Sequence, residues 1–400
     1  MNILCVFGKH AYGDPARGEG YEFVNFLPAL QRLGHRVSFF ESFSREPYED
    51  FRELNRALLK RVEETVPDVV LCVLMHYEVW VTTMRLIRNS GPFLVNWSTD
   101  DSWKYPMFSR LIGSEIDLSV TTYPDVVLRY RRDGIDSVYL SQWAANGERL
   151  SPPLQAADCR YAVSFVGAAY GNRRAMIERL HREGIDVSCF GHGWPNGPVE
   201  AKRISELVRE SKISLNFSGG AHGERGLSDR QIKARVFEVP GYGGCLLTEQ
   251  APNLDRYFRI GNEILTFEGE EELVRVVKSL LADPVQRDEV ARKGFERVKE
   301  EHTYDRRFSE MLGELTRRAV QRPRLPVDWT EFESAVRQHT LGPALQILRS
   351  VIVSVASLFW GRQRGARAAR RFVFELSWRL AGAHTYSAAG WPGRMFYKES

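Results

Sequence analysis

Cysteine is scarce in this sequence: five in 400 residues, at Cys5, Cys72, Cys159, Cys189 and Cys245, with no C-x-x-C pair. That spacing offers neither a zinc site nor a disulfide framework. A reducing, cytoplasmic setting is the expectation. No basic start or cleavage site precedes NILCVFG, which begins at residue 2, so no signal peptide is expected. Short repeats and low-complexity stretches are absent. The apolar run Ala344 to Trp360 is seventeen residues with one charge, Arg349. A bilayer crossing takes about twenty, so a span is not expected. The first loop's glycines, Gly8, Gly13, Gly18 and Gly20, are too widely spaced for G-x-G-x-x-G. A dinucleotide oxidoreductase loses its main sequence support with that motif.

The chain does hold an alternation of short apolar runs and amphipathic helices. Hydrophobic content of 43% and charged content of 26% suit a soluble globular protein. Its length suits two domains and an addition. Asn2 to Gly8, Arg36 to Phe40, Pro67 to Leu74, Phe93 to Trp97, Leu118 to Thr121 and Val138 to Leu140 read as parallel strands. Helices Tyr21 to Leu33 and Phe51 to Glu64 lie between the first three. Polar groups follow three strand ends: His76 and Glu78, Asp100 and Asp101, Tyr123 and Asp125. In an open α/β sheet, ligands sit beyond such ends. Asp100, Asp101 and His76, in that order, are the candidates for a general base, with His10 behind them. Two plainer roles stay open: helix capping for the paired aspartates, and a core position for His76.

Pro152-Pro153 reads as a linker. Beyond it Tyr161 to Val166, a glycine loop from Gly167, a helix from Arg173 and Arg174, and the strand Ile185 to Phe190 form a second βαβ unit. Ile213 to Phe217 follows and ends in Ser218-Gly219-Gly220. Ser218 and Gly219 could give a hydroxyl and a backbone N–H to phosphate. Ala221 to Asp229 reads as a polar segment that orders around a ligand. Then comes QIKARVFEVPGYGGCLLTEQAPNLDRYFRIGNEILTF, residues 231 to 267. Lys233 and Arg235 open a short helix, Glu238 follows one turn later, and Gly241, Gly243 and Gly244 end it. Cations suit a diphosphate and a carboxylate suits ribose hydroxyls. A helix with a solvated charged face is the plainer reading.

RVFEVPGYGGCLLT, with LDRYF and GNEILTF after it, resembles the donor-binding segment of GT-B glycosyltransferases. It is most similar to the spore-maturation (CgeB-like) family, whose pattern is R-x-F-E-x-x-x-x-G-G-x-L-L. Glu301-His302-Thr303-Tyr304-Asp305-Arg306-Arg307 resembles that family's closing HTY-x-x-R segment. Ser164-Phe165-Val166-Gly167 with Arg173 and Arg174 is a third match. The resemblance covers residues 1–318. It implies two Rossmann-like α/β domains facing a cleft: an acceptor domain, 1–150, and a nucleotide-sugar donor domain, 151–305. Residues 306–320 would cross back, and 321–400 would add a basic helical extension. It implies a hexosyltransferase-like enzyme of cell-surface polysaccharide synthesis, acting on an acceptor hydroxyl of a glycan, lipid-linked or protein substrate. The donor site would be Glu238 on the ribose, with Arg235, Lys233, Gly167, Arg173, Arg174, Ser218, Gly219, Gly243 and Gly244. The second acid of many retaining enzymes falls at Arg230 here, so the paired-glutamate pattern is missing. Asp100-Asp101 is not the D-x-D of metal-dependent GT-A enzymes. No metal and no cofactor are expected. A nucleotide-sugar epimerase and a non-catalytic nucleotide-sugar scaffold remain the alternatives.

Pro323 and Pro326 set off the last eighty residues. The final forty hold eight Lys/Arg against two Asp/Glu, a local +6 in a chain of net +4. Arg362, Arg364, Arg367, Arg370, Arg371 and Arg379 are interleaved with Phe372, Phe374, Trp378 and Leu380. Residues 344–380 suit either peripheral contact with an anionic membrane, on its inner face, or a helical hairpin packed on the enzyme. No recognised motif supports nucleic-acid binding.

Overall fold

The computed structural model describes residues 1–219, 230–318 and 322–400. The expected ordering segment Ala221 to Asp229, with Gly220, lies outside the described residues, as does Gln321. The chain divides into two compact units. The first combines residues 1–142 with 309–400, and the second is residues 143–308.

Six parallel strands build the first unit: β1 (Asn2–Phe7), β2 (Arg36–Glu41), β3 (Val69–Cys72), β4 (Phe93–Ser98), β5 (Leu118–Thr121) and β6 (Val138–Leu140). Their order is β2-β1-β3-β4-β5-β6. All four residues of β3 are buried, as a central strand covered on both faces requires. Its expected extent, Pro67 to Leu74, shortens at both ends. At its start Asp68 still bonds both neighbours through its backbone, from its N–H to the Asn2 carbonyl at 2.7 Å and from the Phe93 N–H to its own carbonyl at 2.9 Å, while its carboxylate accepts from the Asn2 N–H at 2.8 Å. Asp50 starts the helix Phe51–Thr65 by accepting from the N–H groups of Arg52 and Glu53 at 2.7 and 3.3 Å. That helix buries Phe51, Leu54, Leu58, Leu59 and Val62, one face at helical spacing.

The second unit has five parallel strands: β7 (Tyr161–Val166), β8 (Val187–Phe190), β9 (Ser211–Asn216), β10 (Leu246–Glu249) and β11 (Leu265–Phe267). Their order is β11-β10-β9-β7-β8. Arg287, fully buried on the helix Pro284–Glu301, donates to the carbonyls of Lys212, Ser211 and Leu154 at 2.7, 2.9 and 2.6 Å. One guanidinium thus fastens that helix to the start of β9.

The structure divides the chain at 142/143 and 308/309, where the sequence suggested 150 and 305. It also corrects the picture of 321–400 as a separate extension. Val327, Phe332, Ala335, Tyr386, Ala388 and Tyr397 are buried in the same core as Leu4, Val70 and Leu94. Phe332 stacks on Trp80 with centroids 6.1 Å apart, Tyr386 meets Phe108 at 5.4 Å, and Tyr397 meets Phe51 at 4.8 Å. The helix Trp329–Gln338 and the last turns complete the first unit.

Between them stands a hairpin of two helices, Pro343–Trp360 and Arg362–Ala381, turned at Gly361 with φ +76°. Gly365 lets the helices close: a Cβ there would lie 2.0 Å from Ser357 Oγ. Ile347, Leu348, Val351, Val355, Leu358 and Phe359 fall on one side of the first helix, and all are exposed, Leu358 by 84% and Phe359 by 76%. By length and composition that helix could cross a membrane.

Candidate functional site

The strand order reverses once in each sheet, and the crevice at that switch point is where open α/β sheets bind ligands. In the second unit it lies between β7 and β9. The helix Arg235–Gly241 is tied to this edge. Arg235 Nε donates to the carbonyl of Val166, the last residue of β7, at 3.4 Å. One turn on, the buried Glu238 carboxylate forms an ion pair with Arg235 Nη1. Lys233 Nζ donates to Gln231 Oε1 at 2.8 Å just before the helix. The structure therefore brings Arg235 and Glu238 together, with Lys233 two residues before Arg235 and bonded to Gln231. The helix has only seven residues, so its dipole adds little and the cations carry the positive field.

His302 shows what the H-T-Y-x-x-R segment does. Its ring packs on Phe237, Tyr257 and Phe258 with centroids 5.3 to 5.9 Å apart. Arg307 donates to His302 Nδ1 at 2.9 Å, and His302 Nε2 lies 2.8 Å from the Tyr257 carbonyl oxygen. Burial, then the Arg307 charge, lowers the imidazole to about 4. The segment holds the Arg235–Gly241 helix in place from behind.

Four of the expected donor ligands have other tasks. Gly243 and Gly244 are buried. Gly243, at φ +84°, would place a Cβ 2.7 Å from the Ser151 carbonyl oxygen, and Gly244 would meet Val208 at 2.6 Å. They are packing glycines under the strand β10, closed to a ligand. Arg173 is buried too, donating to the Ala168 carbonyl at 2.9 Å and the Tyr170 hydroxyl at 2.7 Å. It shapes the Gly167 loop rather than reaching out of it. Arg174 stays on the surface, bonds the Gly193 carbonyl and lies 5.2 Å from the Trp194 ring centroid. Gly167 remains part-exposed at the end of β7.

Ser218 and Gly219 do bind an anion, but one supplied by the chain. Glu249 Oε2 accepts from Ser218 N–H and Oγ at 3.0 Å each and from Gly219 N–H at 3.3 Å. Arg230, in the place of the family's second acid, lies 3.5 Å from Glu249 Oε1. The sequence reading missed Glu249. Its only signal is a carboxylate closing the apolar strand LLTE.

In the first unit the switch point lies between β1 and β3. Asp100 is part-exposed after β4, with Lys104 Nζ 3.4 Å from its Oδ2. Lys104 also donates to the Met75 carbonyl at 3.4 Å, which connects the ends of β3 and β4. Asp100 precedes the helix Asp101–Lys104 but does not cap it with its side chain. Glu22, on the first turn of the helix after the glycine loop, joins this group. Burial raises its carboxyl, and Asp100 adds to the rise. Glu22 was also missed. His76 packs edge-on to Phe374, with centroids 6.3 Å apart. Burial first, then Lys104, Arg370 and Arg45, lowers its imidazole well below the usual range, so it is neutral at pH 7.

Asp101 is the exception among the three base candidates. It is fully buried, and its oxygens accept from Ser109 Oγ and from the Tyr130 hydroxyl at 3.0 Å. It pins the helix and cannot reach a substrate. Burial pushes its carboxyl from 3.8 up to about 6. A carboxyl raised in the folded state stabilises fully below its ordinary value, and that stabilisation is lost as pH rises through 6. Asp101→Asn removes the titration. Urea midpoints should then show the variant gaining about 3 kcal/mol on the wild type between about pH 3 and pH 7. A difference that stays constant over that range would mean the carboxyl titrates normally.

Among the described residues no cluster of His, Cys, Asp or Glu is arranged to hold a metal.

Residues 173–313 match a family model described as glycosyl transferase-like. No curated protein matches the chain by sequence. Similar solved structures include sucrose-phosphate synthase from Thermosynechococcus elongatus, at 13% identity and TM-score 0.55, covering 80% of this chain and all of that one. HepE of Anabaena in complex with UDP-glucose matches at 11% identity and TM-score 0.53, over 79% of this chain and all of its own. A protein described as a UDP-N-acetylglucosamine 2-epimerase from Listeria monocytogenes matches at 12% and 0.51, over 80% and 97%. At such identities the likeness is one of fold. The fold is thus GT-B, and residues 173–313 are similar to a glycosyl transferase-like family.

Proposed function

We propose that this chain, a GT-B scaffold whose residues 173–313 are similar to a glycosyl transferase-like family, moves a sugar from a nucleoside-diphosphate sugar to an acceptor hydroxyl. The observation that carries the reading is the Arg235–Glu238 pair, tied to the end of β7 at the switch point. Glu238 would take the ribose hydroxyls, and Arg235 with Lys233 the diphosphate. The first unit would hold the acceptor. Its hydroxyl oxygen forms a bond to the anomeric carbon as the bond from that carbon to the diphosphate oxygen breaks. The electron pair leaves with the nucleoside diphosphate, and the hydroxyl proton passes to a base. Asp100 and the neutral His76 are the proposed bases, with Glu22 beside Asp100. The finer likeness to spore-maturation (CgeB-like) enzymes of cell-surface polysaccharide synthesis rests on R-x-F-E-x-x-x-x-G-G-x-L-L. A cytoplasmic enzyme, peripheral on the inner face of a membrane, fits the exposed stripe of the hairpin.

Two assays test this. Uridine diphosphate, the nucleotide of HepE's complex, should raise the melting temperature of the full chain. Nucleotide release from a UDP-sugar should then require an added acceptor. Release or epimer formation without one would favour the epimerase reading, which the Listeria likeness keeps in view. Binding with no turnover would favour a scaffold. Turnover is also expected to survive EDTA, because Lys233 and Arg235 can offset the leaving diphosphate's charge as a divalent ion does elsewhere. Complete, reversible loss on chelation would refute that part.

A further inference from the structure

The first unit has a cavity of about 470 Å³ that the donor reading leaves unused. It opens beside the ends of β1, β2 and β3, where Tyr12, Arg45 and His76 line it. The helix Arg362–Ala381 adds Arg367 and Arg370, and Lys398 closes the wall. Five Lys/Arg side chains thus meet three carboxylates, Asp14, Glu46 and Glu399. Two of those acids are already engaged. Asp14 lies 3.4 Å from Arg17, and Glu399 lies 2.7 Å from Arg349, which is outside the lining. The excess in the wall is positive.

Two of its guanidiniums are also incompletely bonded. Arg45 Nε and Arg370 Nε are buried and have no hydrogen-bond partner among the described residues. A buried N–H left unmet is costly, and a ligand that draws the guanidinium toward it relieves that cost. Arg45 is held still, stacked 4.9 Å from the Phe51 centroid and 5.6 Å from that of Tyr397. Guanidiniums lining a cavity wall, one of them fixed by stacking, select an oxyanion, phosphate above all.

The second observation is the outer side of the same helix. Arg367 and Arg370 look into the cavity, while Phe372, Leu376 and Leu380 are exposed to solvent. The hairpin's other arm, the helix Pro343–Trp360, carries an exposed apolar stripe of its own. A single helix, about 10–12 Å across, separates cationic cavity from apolar exterior. Arg362, Arg364, Arg371 and Arg379 are exposed on the same helix. A second copy of the chain placed face to face would bring those like charges together. An anionic bilayer would neutralise them.

We propose that the cavity takes the phosphate of an amphiphilic acceptor, a phosphate-bearing lipid whose tail lies along the exposed hairpin. This rests on the transferase reading and gives its acceptor a class. The phosphate is an anchor and not a leaving group, so the balance of the transfer step is unchanged.

Calorimetric titration of the full chain without donor tests it. Farnesyl phosphate should bind, and farnesol and inorganic pyrophosphate should each bind at least tenfold more weakly. Arg370→Gln should weaken farnesyl phosphate binding at least tenfold and leave farnesol unchanged. Lys398→Gln, on an exposed side chain of the wall, gives a second variant should Arg370→Gln melt early. No turnover is read, so failure of the transferase reading leaves this result intact, and uridine diphosphate binding reports that reading separately. Equal binding of farnesol overturns the phosphate site. Pyrophosphate binding as tight as farnesyl phosphate overturns the lipid acceptor. Farnesyl phosphate affinity that stays at the wild-type value in a folded cavity variant overturns the cavity.

Discussion

Glu238→Ala is expected to weaken uridine diphosphate binding by about 1–3 kcal/mol, the scale for hydrogen bonds to a charged group. That is roughly 5- to 150-fold in dissociation constant. The structure sharpens the test, because Glu238 is also the partner of Arg235. Loss of the carboxylate frees a cation, which would raise affinity for phosphate and hide part of the effect. A thermodynamic cycle separates the two. Removing the ribose hydroxyls from the ligand, as 2′,3′-dideoxyuridine diphosphate, should cost the wild type that same energy. In Glu238→Ala it should cost almost nothing, since the acceptor of those hydrogen bonds is gone. An equal penalty in both proteins would place the ribose elsewhere. Arg235→Ala should instead slow turnover, with a smaller response to the ribose change.

The second large effect concerns the end of the chain. Stopping it at Arg318 is expected to unfold the first unit. Phe332 is fully buried against Trp80, and Tyr386 and Tyr397 are buried against Phe108 and Phe51. Truncating one such aromatic to Ala costs about 3–5 kcal/mol. Losing all three, about 9–15 kcal/mol by that scale, is comparable to the 5–15 kcal/mol that typically holds a whole domain. The shortened protein should aggregate or lose a cooperative melting transition, and Phe332→Ala alone should lower the urea midpoint clearly. A soluble shortened chain that melts like the full one would show the segment to be an accessory after all.

The sequence pointed to the opposite outcome, and the reason is physical. Pro323 and Pro326 look like a linker, and the basic composition looks like a separate module. Trp329, Phe332, Ala335 and Val336 do recur at helical spacing, but that pattern does not say what the face packs on, and Tyr386 and Tyr397 lie in short segments with no repeat. Their partners lie some 250 to 350 positions earlier, beyond any local pattern. The strands were legible for the converse reason. A strand covered on both faces, such as Val69–Cys72, reads as an unbroken apolar run. Within the site, Glu238 and Arg235 could be picked out because i and i+3 share a helix face. Gly243 and Gly244 could not be sorted into ligand or packing roles from sequence, since close approach to Ser151 and Val208 leaves no mark on their own identity. Glu249 escaped because a carboxylate after a strand looks like an ordinary solvated stop.

The division of the first unit into two stretches of sequence also sets an order of assembly. Residues 143–308 are one uninterrupted piece, whereas the first unit needs residues 309–400 to close its core. A ribosome working at about 5–20 residues per second would finish the second unit roughly 5–18 s before the first has all its parts. Through that interval Trp80, Phe51 and Phe108 lack the aromatic partners that later bury them. The unit begun first is the one completed last, and its nascent form is where a chaperone would be needed.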